Sequence, residues 1–134
     1  MLDNQALNNL YTHYLASTGV STDTRTLKPG QIFFALRGPN FNGAAFAQEA
    51  LALGARLVVV DDRALEPNPA YCITDDPLKA LQQLAKRHRE HFSGPLLGLT
   101  GSNGKTTTKE LIRQLLGRKF NAYATQGNFN NHIG

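Results

Sequence analysis

A glycine-rich stretch followed by a lysine and three threonines carries the clearest chemical signal in this sequence. It runs from Gly101 to Thr108 and reads GSNGKTTT. Glycines let the backbone approach a ligand closely, and the N–H groups at the start of a helix attract anions. A lysine in this position reaches terminal phosphates, and a threonine hydroxyl binds Mg²⁺. The stretch therefore predicts a phosphate-binding loop.

The predicted roles differ along this loop. Lys105 is the candidate catalytic residue, because its charge reaches the terminal phosphates, and Thr106 is the candidate Mg²⁺ ligand. The candidate nucleotide contacts are Gly101, Ser102, Asn103, Gly104, Lys105, Thr106 and Thr107. The strict form of the motif requires glycine at position 99, where this chain has Leu99. The loop is therefore a variant, and a glycine-rich turn between a strand and a helix is the alternative interpretation.

The segments that flank the loop predict the elements that a phosphate site needs. Leu96–Thr100 is apolar and predicts a buried strand. A helix is predicted from Lys105 to about Leu116, and a second short strand at about Asn121–Thr125. Threonine is a poor helix former, so three of them at the helix start are better explained by ligand contacts than by folding.

Apolar periodicity divides the rest of the chain into alternating helices and strands. Three helices are predicted in this part of the chain. The first begins after the N-cap Asp3, and the second covers about residues 44–53. The third covers about residues 77–91, with Asp76 as its N-cap and Pro77 at its first position. The predicted strands are Ile32–Leu36, Leu57–Val60 and Tyr71–Ile73, and the turn-rich segment Gly38–Gly43 is predicted as a loop. This alternation is typical of an α/β fold. Ser93-Gly94-Pro95 predicts a boundary between two domains, residues 1–93 and 94–134.

Composition excludes several classes of protein. With 134 residues, of which 41% are hydrophobic, the chain can bury a core. Its single cysteine, Cys72, excludes an internal disulfide and a cysteine-based zinc site, and it favours a reducing, cytoplasmic setting. Apolar runs are far shorter than the roughly 20 residues that span a bilayer. The N-terminus lacks the basic and apolar regions of a secretory signal.

Charge is distributed unevenly along the chain. Residues 1–76 carry five Lys or Arg against eight Asp or Glu, a net charge of −3, whereas residues 77–134 carry nine against two, a net charge of +7. A basic half suggests an anionic partner, either a phosphate compound or nucleic acid, and a solvated helix face is the alternative. Aromatic residues do not alternate with the basic ones, which argues against nucleic acid.

Several segments resemble the Mur ligases, the ATP-dependent amide ligases of peptidoglycan synthesis. Thr100–Thr106 is similar to the ATP loop of that family. Asp23–Arg25, Lys28–Gly30 and Phe33–Gly38 are similar to its N-terminal substrate domain, and Thr125–Gly134 is similar to the opening of its central domain. The resemblance implies an α/β architecture. A small N-terminal substrate domain would precede the first strand, phosphate loop, helix and strand of a parallel-sheet ATPase domain.

The resemblance also implies a reaction and its participants. ATP and Mg²⁺ would activate the terminal carboxylate of UDP-N-acetylmuramoyl-tripeptide as an acyl phosphate, and the amine of D-alanyl-D-alanine would attack it. No nucleic-acid or membrane partner is implied, and the full-length enzyme is expected to be a monomer that serves cell-wall growth and division. A ligase of the family that adds a single amino acid, and a non-enzymatic nucleotide-binding module, are the alternatives.

Eight residues are implied as substrate contacts by this resemblance. They are Thr24, Arg25, Asn42, Gly43, Thr125, Asn128, Asn130 and Asn131. Pairing of Arg25 with Asp23 and capping of turns by the asparagines are the alternatives. The family often has a histidine where this chain has Ala44, so no role of that histidine is carried over. Only 34 residues follow Thr100, so we expect an N-terminal portion of a longer enzyme with little ligase activity alone.

Overall fold

The computed structural model of this chain describes residues 2–125 and divides it into two compact units, residues 1–92 (unit 1) and 93–134 (unit 2). The strands are β1 (Val20–Ser21), β2 (Ile32–Phe34), β3 (Arg37–Gly38), β4 (Phe41–Asn42), β5 (Leu57–Val60) and β6 (Tyr71–Ile73). The helices are α1 (Asn4–Leu15), a 3₁₀ turn (Gly43–Phe46), α2 (Ala47–Ala52), α3 (Pro77–Glu90) and α4 (Lys105–Gly117).

Unit 1 is built on a four-stranded sheet in the order β1-β2-β5-β6, in which every pair is parallel. Alternate residues of a strand point to opposite faces. Ile32 and Phe34 of β2 therefore share a cluster with Leu10 of α1 and Leu84 of α3. Phe33 lies in a second cluster with Ala44 of the 3₁₀ turn and Ala47 and Ala50 of α2. Both faces of the sheet are covered, which explains why β2 and β5 are buried at every position.

Helix capping follows the sequence prediction. Asp3 accepts a hydrogen bond of 2.8 Å from the Ala6 N–H, and Asp76 accepts one of 3.0 Å from the Lys79 N–H. Each carboxylate satisfies an N–H group that the first helical turn leaves without a backbone partner. The starts of α1 and α3 are therefore confirmed, and Pro77 occupies the first turn of α3 as predicted.

Two predictions about unit 1 need correction, and one strand was missed. The segment Gly38–Gly43 is largely a two-stranded antiparallel hairpin, because β3 and β4 pair across the short turn Pro39-Asn40. The helix predicted at 44–53 is a 3₁₀ turn followed by α2. Strand β1 was not predicted, since two residues carry no periodicity and only pairing with β2 makes them a strand.

Unit 2 contains the predicted helix but neither predicted strand. Helix α4 starts at Lys105 and ends at Gly117. Residues 96–100 and 121–125 are assigned no strand, and Leu96 and Leu97 are 74% and 62% exposed rather than buried. A strand needs a neighbouring strand to which it is hydrogen-bonded, and the structure assigns no strand within residues 93–125. Helix α4 forms because its backbone hydrogen bonds are local.

Within residues 2–125, no helix combines the length and the apolar character needed to cross a membrane.

Candidate functional site

The loop before α4 has the backbone geometry of a phosphate cradle. Gly101 has φ of 144° and Gly104 has φ of 77°, conformations that residues with a side chain rarely adopt. Gly104 is the N-cap of α4, and as a glycine it has no side chain that could accept hydrogen bonds from the first helical turn. The helix therefore directs N–H groups and the positive end of its dipole toward the loop, which is an arrangement that binds anions.

Lys105 places a positive charge over this loop. Its Nζ donates hydrogen bonds to the carbonyl oxygens of Gly101 and Ser102, the second at 3.4 Å. The side chain thus folds back from the first residue of α4 across the glycine turn. Residues 101–108 are all exposed, so a ligand can reach the loop from solvent. The predicted contacts Ser102, Asn103 and Thr107 lie on this same exposed stretch.

Acidic and basic side chains on the second and third turns of α4 form a network that the sequence did not predict. Glu110 accepts from Arg113 at 2.9 Å and pairs with the Nζ of Lys109 at 3.2 Å. Both donors lower the pKa of Glu110, Arg113 more strongly than Lys109. Lys109 also donates to the backbone carbonyl of Thr125. The only sequence signal for this network is the i, i+3 spacing of Glu110 and Arg113.

One hydroxyl oxygen of the loop is available to the predicted Mg²⁺ site. Thr106 follows Lys105 on the exposed first turn of α4, where its hydroxyl can join phosphate oxygens as a ligand. Magnesium sites usually add one or two carboxylates. Among the described residues, no group of three or more His, Cys, Asp or Glu could hold a metal ion. The loop therefore fits a phosphate better than it fits a metal ion by itself.

A second candidate site lies at the carboxyl edge of the sheet in unit 1. Ligands of parallel sheets bind outside the carboxyl ends of the strands. The segments after β1 and β2 both leave the sheet at that edge, and they carry the predicted contacts Thr24, Arg25, Asn42 and Gly43. The topology thus collects these four residues at one end of one sheet.

Arg25 is engaged with Asp23. Its Nε lies 2.9 and 3.0 Å from the two carboxylate oxygens of Asp23, and its backbone N–H donates to the same carboxylate at 3.0 Å. The side-chain and backbone hydrogen bonds from Arg25 lower the pKa of Asp23 from 3.8 to about 2. The pairing that was the alternative interpretation is therefore present, and the Arg25 side chain remains 86% exposed.

Asn42 and Gly43 have structural roles in the fold. The Asn42 side chain caps the 3₁₀ turn by accepting from the Ala44 N–H at 3.2 Å. Gly43 is buried, and a Cβ there would lie 2.4 Å from the Leu36 carbonyl oxygen and 2.6 Å from the Ala35 carbonyl carbon. Only glycine fits this close approach of two backbone segments.

Sequence reasoning missed two ion pairs that connect segments at this edge. Arg37 in β3 makes a bidentate contact with Asp61 after β5, at 2.9 and 3.1 Å. Arg63 pairs with Asp75 after β6 at 2.8 Å. The sequence signal was the position of Asp61 directly after the buried strand β5 and of Asp75 two residues after β6. Their partners are 24 and 12 residues away, so only the fold reveals them.

Thr125 is exposed and ends the described part of the chain. The other predicted contacts of this segment, Asn128, Asn130 and Asn131, lie outside the described residues.

Comparison with family models identifies the chain. Residues 17–89 match the model described as "Mur ligase family, catalytic domain", and residues 99–134 match the "Mur ligase middle domain". The first match alone covers more than half of the 134 residues. The chain belongs to the Mur ligase family, as its resemblance implied.

Curated relatives agree with the family models. The chain is 46% identical over 118 residues to the UDP-N-acetylmuramoyl-tripeptide–D-alanyl-D-alanine ligase of Bacillus subtilis, covering 87% of this chain and 26% of that protein. It is 40% identical over 115 residues to the ligase of the same name from Escherichia coli, covering 86% of this chain and 25% of that protein. The chain thus spans about a quarter of the length of these relatives.

Solved structures share its fold. The MurF ligase of Thermotoga maritima in complex with ADP superposes with a TM-score of 0.76 at 31% identity, covering 90% of this chain and 28% of that protein. A MurF structure from Acinetobacter baumannii gives the same TM-score at 30% identity, with 96% and 30% covered. The α/β fold class is therefore confirmed.

Proposed function

We propose that this chain is part of an ATP-dependent ligase that adds D-alanyl-D-alanine to UDP-N-acetylmuramoyl-tripeptide in peptidoglycan precursor synthesis. Unit 2 would bind the ATP phosphates and Mg²⁺, and unit 1 would hold the UDP end of the substrate. The single cysteine favours a reducing compartment, so we place the reaction in the cytoplasm. We expect a monomer without nucleic-acid or membrane partners.

The geometry of the phosphate loop carries this proposal. Two glycines with positive φ, the start of α4 with its glycine N-cap, and the ammonium of Lys105 converge on one exposed site. Such a site neutralises phosphate charge before any chemistry occurs, because its dipoles and its cation are already oriented. The relative from Thermotoga maritima, whose structure contains ADP, supports nucleotide as the ligand.

Bound ATP would supply the phosphoryl group that activates the substrate carboxylate. The chain's own contribution is to hold the β- and γ-phosphates, with the Lys105 ammonium moving from the loop carbonyls onto phosphate oxygens. The Thr106 hydroxyl would bind Mg²⁺ alongside those oxygens. In this way Lys105 offsets the repulsion between two anions, the γ-phosphate and the carboxylate, that must approach each other.

The assignment of unit 1 to the UDP moiety rests on the carboxyl edge of its sheet. Arg25 is exposed there and can exchange one carboxylate, that of Asp23, for a diphosphate, because guanidinium binds both with charged hydrogen bonds. Phe41 on the hairpin is 48% exposed and stacks on Phe46 with ring centroids 5.5 Å apart. Its outer face suits a planar base such as uracil.

The decisive experiment titrates the chain with two ligands and follows backbone amide shifts by NMR. UDP-N-acetylmuramoyl-tripeptide should perturb unit 1 near Thr24 and Phe41, and Mg-ADP should perturb residues 101–108. Lys105→Met should abolish the second response and leave the first intact, with Lys119→Met as the matched control on the same unit. A chain that binds Mg-ADP but no UDP compound would favour the non-enzymatic nucleotide-binding module.

A further inference from the structure

Lys109 has an environment that differs from those of the other ion-paired cations. Its side chain is 16% exposed, although it belongs to a unit whose other charged groups lie near solvent. Among the ion pairs of residues 2–125, the remaining Lys and Arg side chains are between 47% and 86% exposed. A lysine is rarely held this far from water unless its ammonium is paired.

The partners of Lys109 form a chain of contacts from α4 to a distant segment. Its Nζ donates to the Thr125 carbonyl oxygen, 16 residues further along the sequence, and pairs with Glu110 at 3.2 Å. The other carboxylate oxygen of Glu110 is held by Arg113 at 2.9 Å. Arg113 thus fixes Glu110, Glu110 fixes Lys109, and Lys109 fixes the backbone at Thr125.

Helix geometry relates this contact to the phosphate loop. Lys105 and Lys109 are four residues apart on α4, so their side chains emerge from the same face of the helix. Side chains on a helix lean toward its N-terminus, which is where the loop lies. The Thr125 carbonyl is therefore bound on the face of α4 that Lys105 uses, one turn from the proposed phosphate contacts.

We propose that Lys109 is a positioning residue of the phosphate site, which ties residues 121–125 to the face of α4 that carries Lys105. This inference rests on the proposed function, because it assumes that nucleotide binds at the loop. Ordering a long lysine side chain costs rotamer freedom. Its hydrogen bond and ion pair offset that cost and fix the distance between the loop and the segment that follows α4.

The test compares three variants of the full 134-residue chain. Lys109→Met removes the positive charge and the N–H donors but keeps a side chain of similar length, whereas Lys109→Arg keeps the charge and the donors. Lys119→Met is the control, because it removes an exposed lysine from the same unit. The readouts are the ¹³C shift of the Thr125 carbonyl, which reports the hydrogen bond, and the Mg-ADP dissociation constant from calorimetry. Circular dichroism establishes that α4 is retained.

We expect Lys109→Met to shift the Thr125 carbonyl signal and to weaken Mg-ADP binding about tenfold, the effect of losing one hydrogen bond from a charged donor. Lys109→Arg should restore most of both, and Lys119→Met should match the wild type. An unchanged carbonyl shift in Lys109→Met would contradict the hydrogen bond between Lys109 and the Thr125 carbonyl. A changed shift with unchanged affinity would overturn the positioning role. Absence of Mg-ADP binding by the wild type would instead contradict the proposed function, and the positioning role with it. The carbonyl shift would still decide whether Lys109 is hydrogen-bonded to Thr125.

Discussion

Single residues at the hairpin and at the turn after β1 show how backbone space and charge constrain unit 1. Gly43 allows the chain to pass against the backbone of Ala35 and Leu36, and its N–H donates to the Leu36 carbonyl at 2.9 Å. Asp23 accepts both side-chain and backbone hydrogen bonds from Arg25. The first constraint is steric and independent of pH, whereas the second depends on the ionised carboxylate.

Gly43→Ala should destabilise unit 1 by about 1–3 kcal/mol, because the added methyl group overpacks a buried site that offers no space. The Cβ would meet three backbone atoms at 2.4, 2.6 and 2.8 Å, and backbone cannot move aside as a side chain can. Urea unfolding followed by circular dichroism measures the change. Gly98→Ala is the matched control, since nothing lies within 4 Å of its Cβ position. Equal stability of the two variants would contradict this account.

The Asp23 carboxyl should titrate with a pKa of about 2, as the hydrogen bonds from Arg25 stabilise its charged form. Because the folded pKa lies below the ordinary value of 3.8, the stabilisation is complete above about pH 4 and is lost as the pH falls toward 2. Arg25→Ala should raise the pKa only part of the way, since the backbone N–H donor remains. Carbon-13 NMR of the carboxyl group measures the midpoint, and Arg56→Ala, outside this turn, should leave it unchanged.

At the scale of elements, caps and pairings decide where helices and strands end. Helix α3 begins where Asp76 accepts from the Lys79 N–H, and its last turn carries Arg87, His88 and Arg89. Acidic groups at the start and basic groups at the end both interact favourably with the helix dipole. The hairpin of β3 and β4 has no comparable local signal, and Arg37 holds it to the end of β5 through Asp61.

Asp76→Ala should cost unit 1 about 1 kcal/mol, the usual effect of removing an N-cap side chain. The hydrogen bond from the Lys79 N–H lowers the pKa of Asp76, so the loss should shrink as the pH falls below the ordinary value of 3.8. Thermal unfolding at pH 7 and at pH 3 measures both effects. Glu90→Ala removes an acid from the other end of α3 and should not destabilise. An equal cost at both pH values would exclude the capping explanation.

At the scale of the whole molecule, the two units differ in how they are stabilised. Unit 1 covers both faces of its sheet and buries Phe33 and Phe34 almost completely. Unit 2 leaves Leu111 and Leu115 of α4 more than 60% exposed and contains no buried residue in that helix. Its described residues therefore gain little stability from the hydrophobic effect. We expect ligand binding to contribute a larger share of the stability of unit 2 than of unit 1.

Brief chymotrypsin digestion should cut the chain first between about residues 92 and 99, leaving a folded fragment close to unit 1. The reason is that Phe92, Leu96 and Leu97 are exposed in irregular backbone, whereas Phe33 and Phe34 are buried in a sheet. Mass spectrometry locates the cuts, and circular dichroism of the fragment tests its fold. Early cleavage inside residues 20–90 would contradict the proposed division into domains. Mg-ADP should slow any later cuts near the loop.

The sequence by itself determined those features of this protein that depend on neighbouring residues. The caps at Asp3 and Asp76, helix α4 and the glycine loop before it all rest on contacts within a few positions, so residue types and spacing were sufficient to predict them. The buried run Leu57–Val60 was predicted as a strand for the same reason.

Only the tertiary structure decided which strands pair and which charges meet. Strand β1 exists because β2 lies beside it, Arg37 meets Asp61 because the ends of β2 and β5 are adjacent, and Lys109 reaches Thr125 across 16 residues. The predicted strand Leu96–Thr100 did not form, since its apolar residues have no neighbouring strand among residues 93–125. Such contacts are made by chain segments that lie far apart in sequence, and no local pattern encodes them.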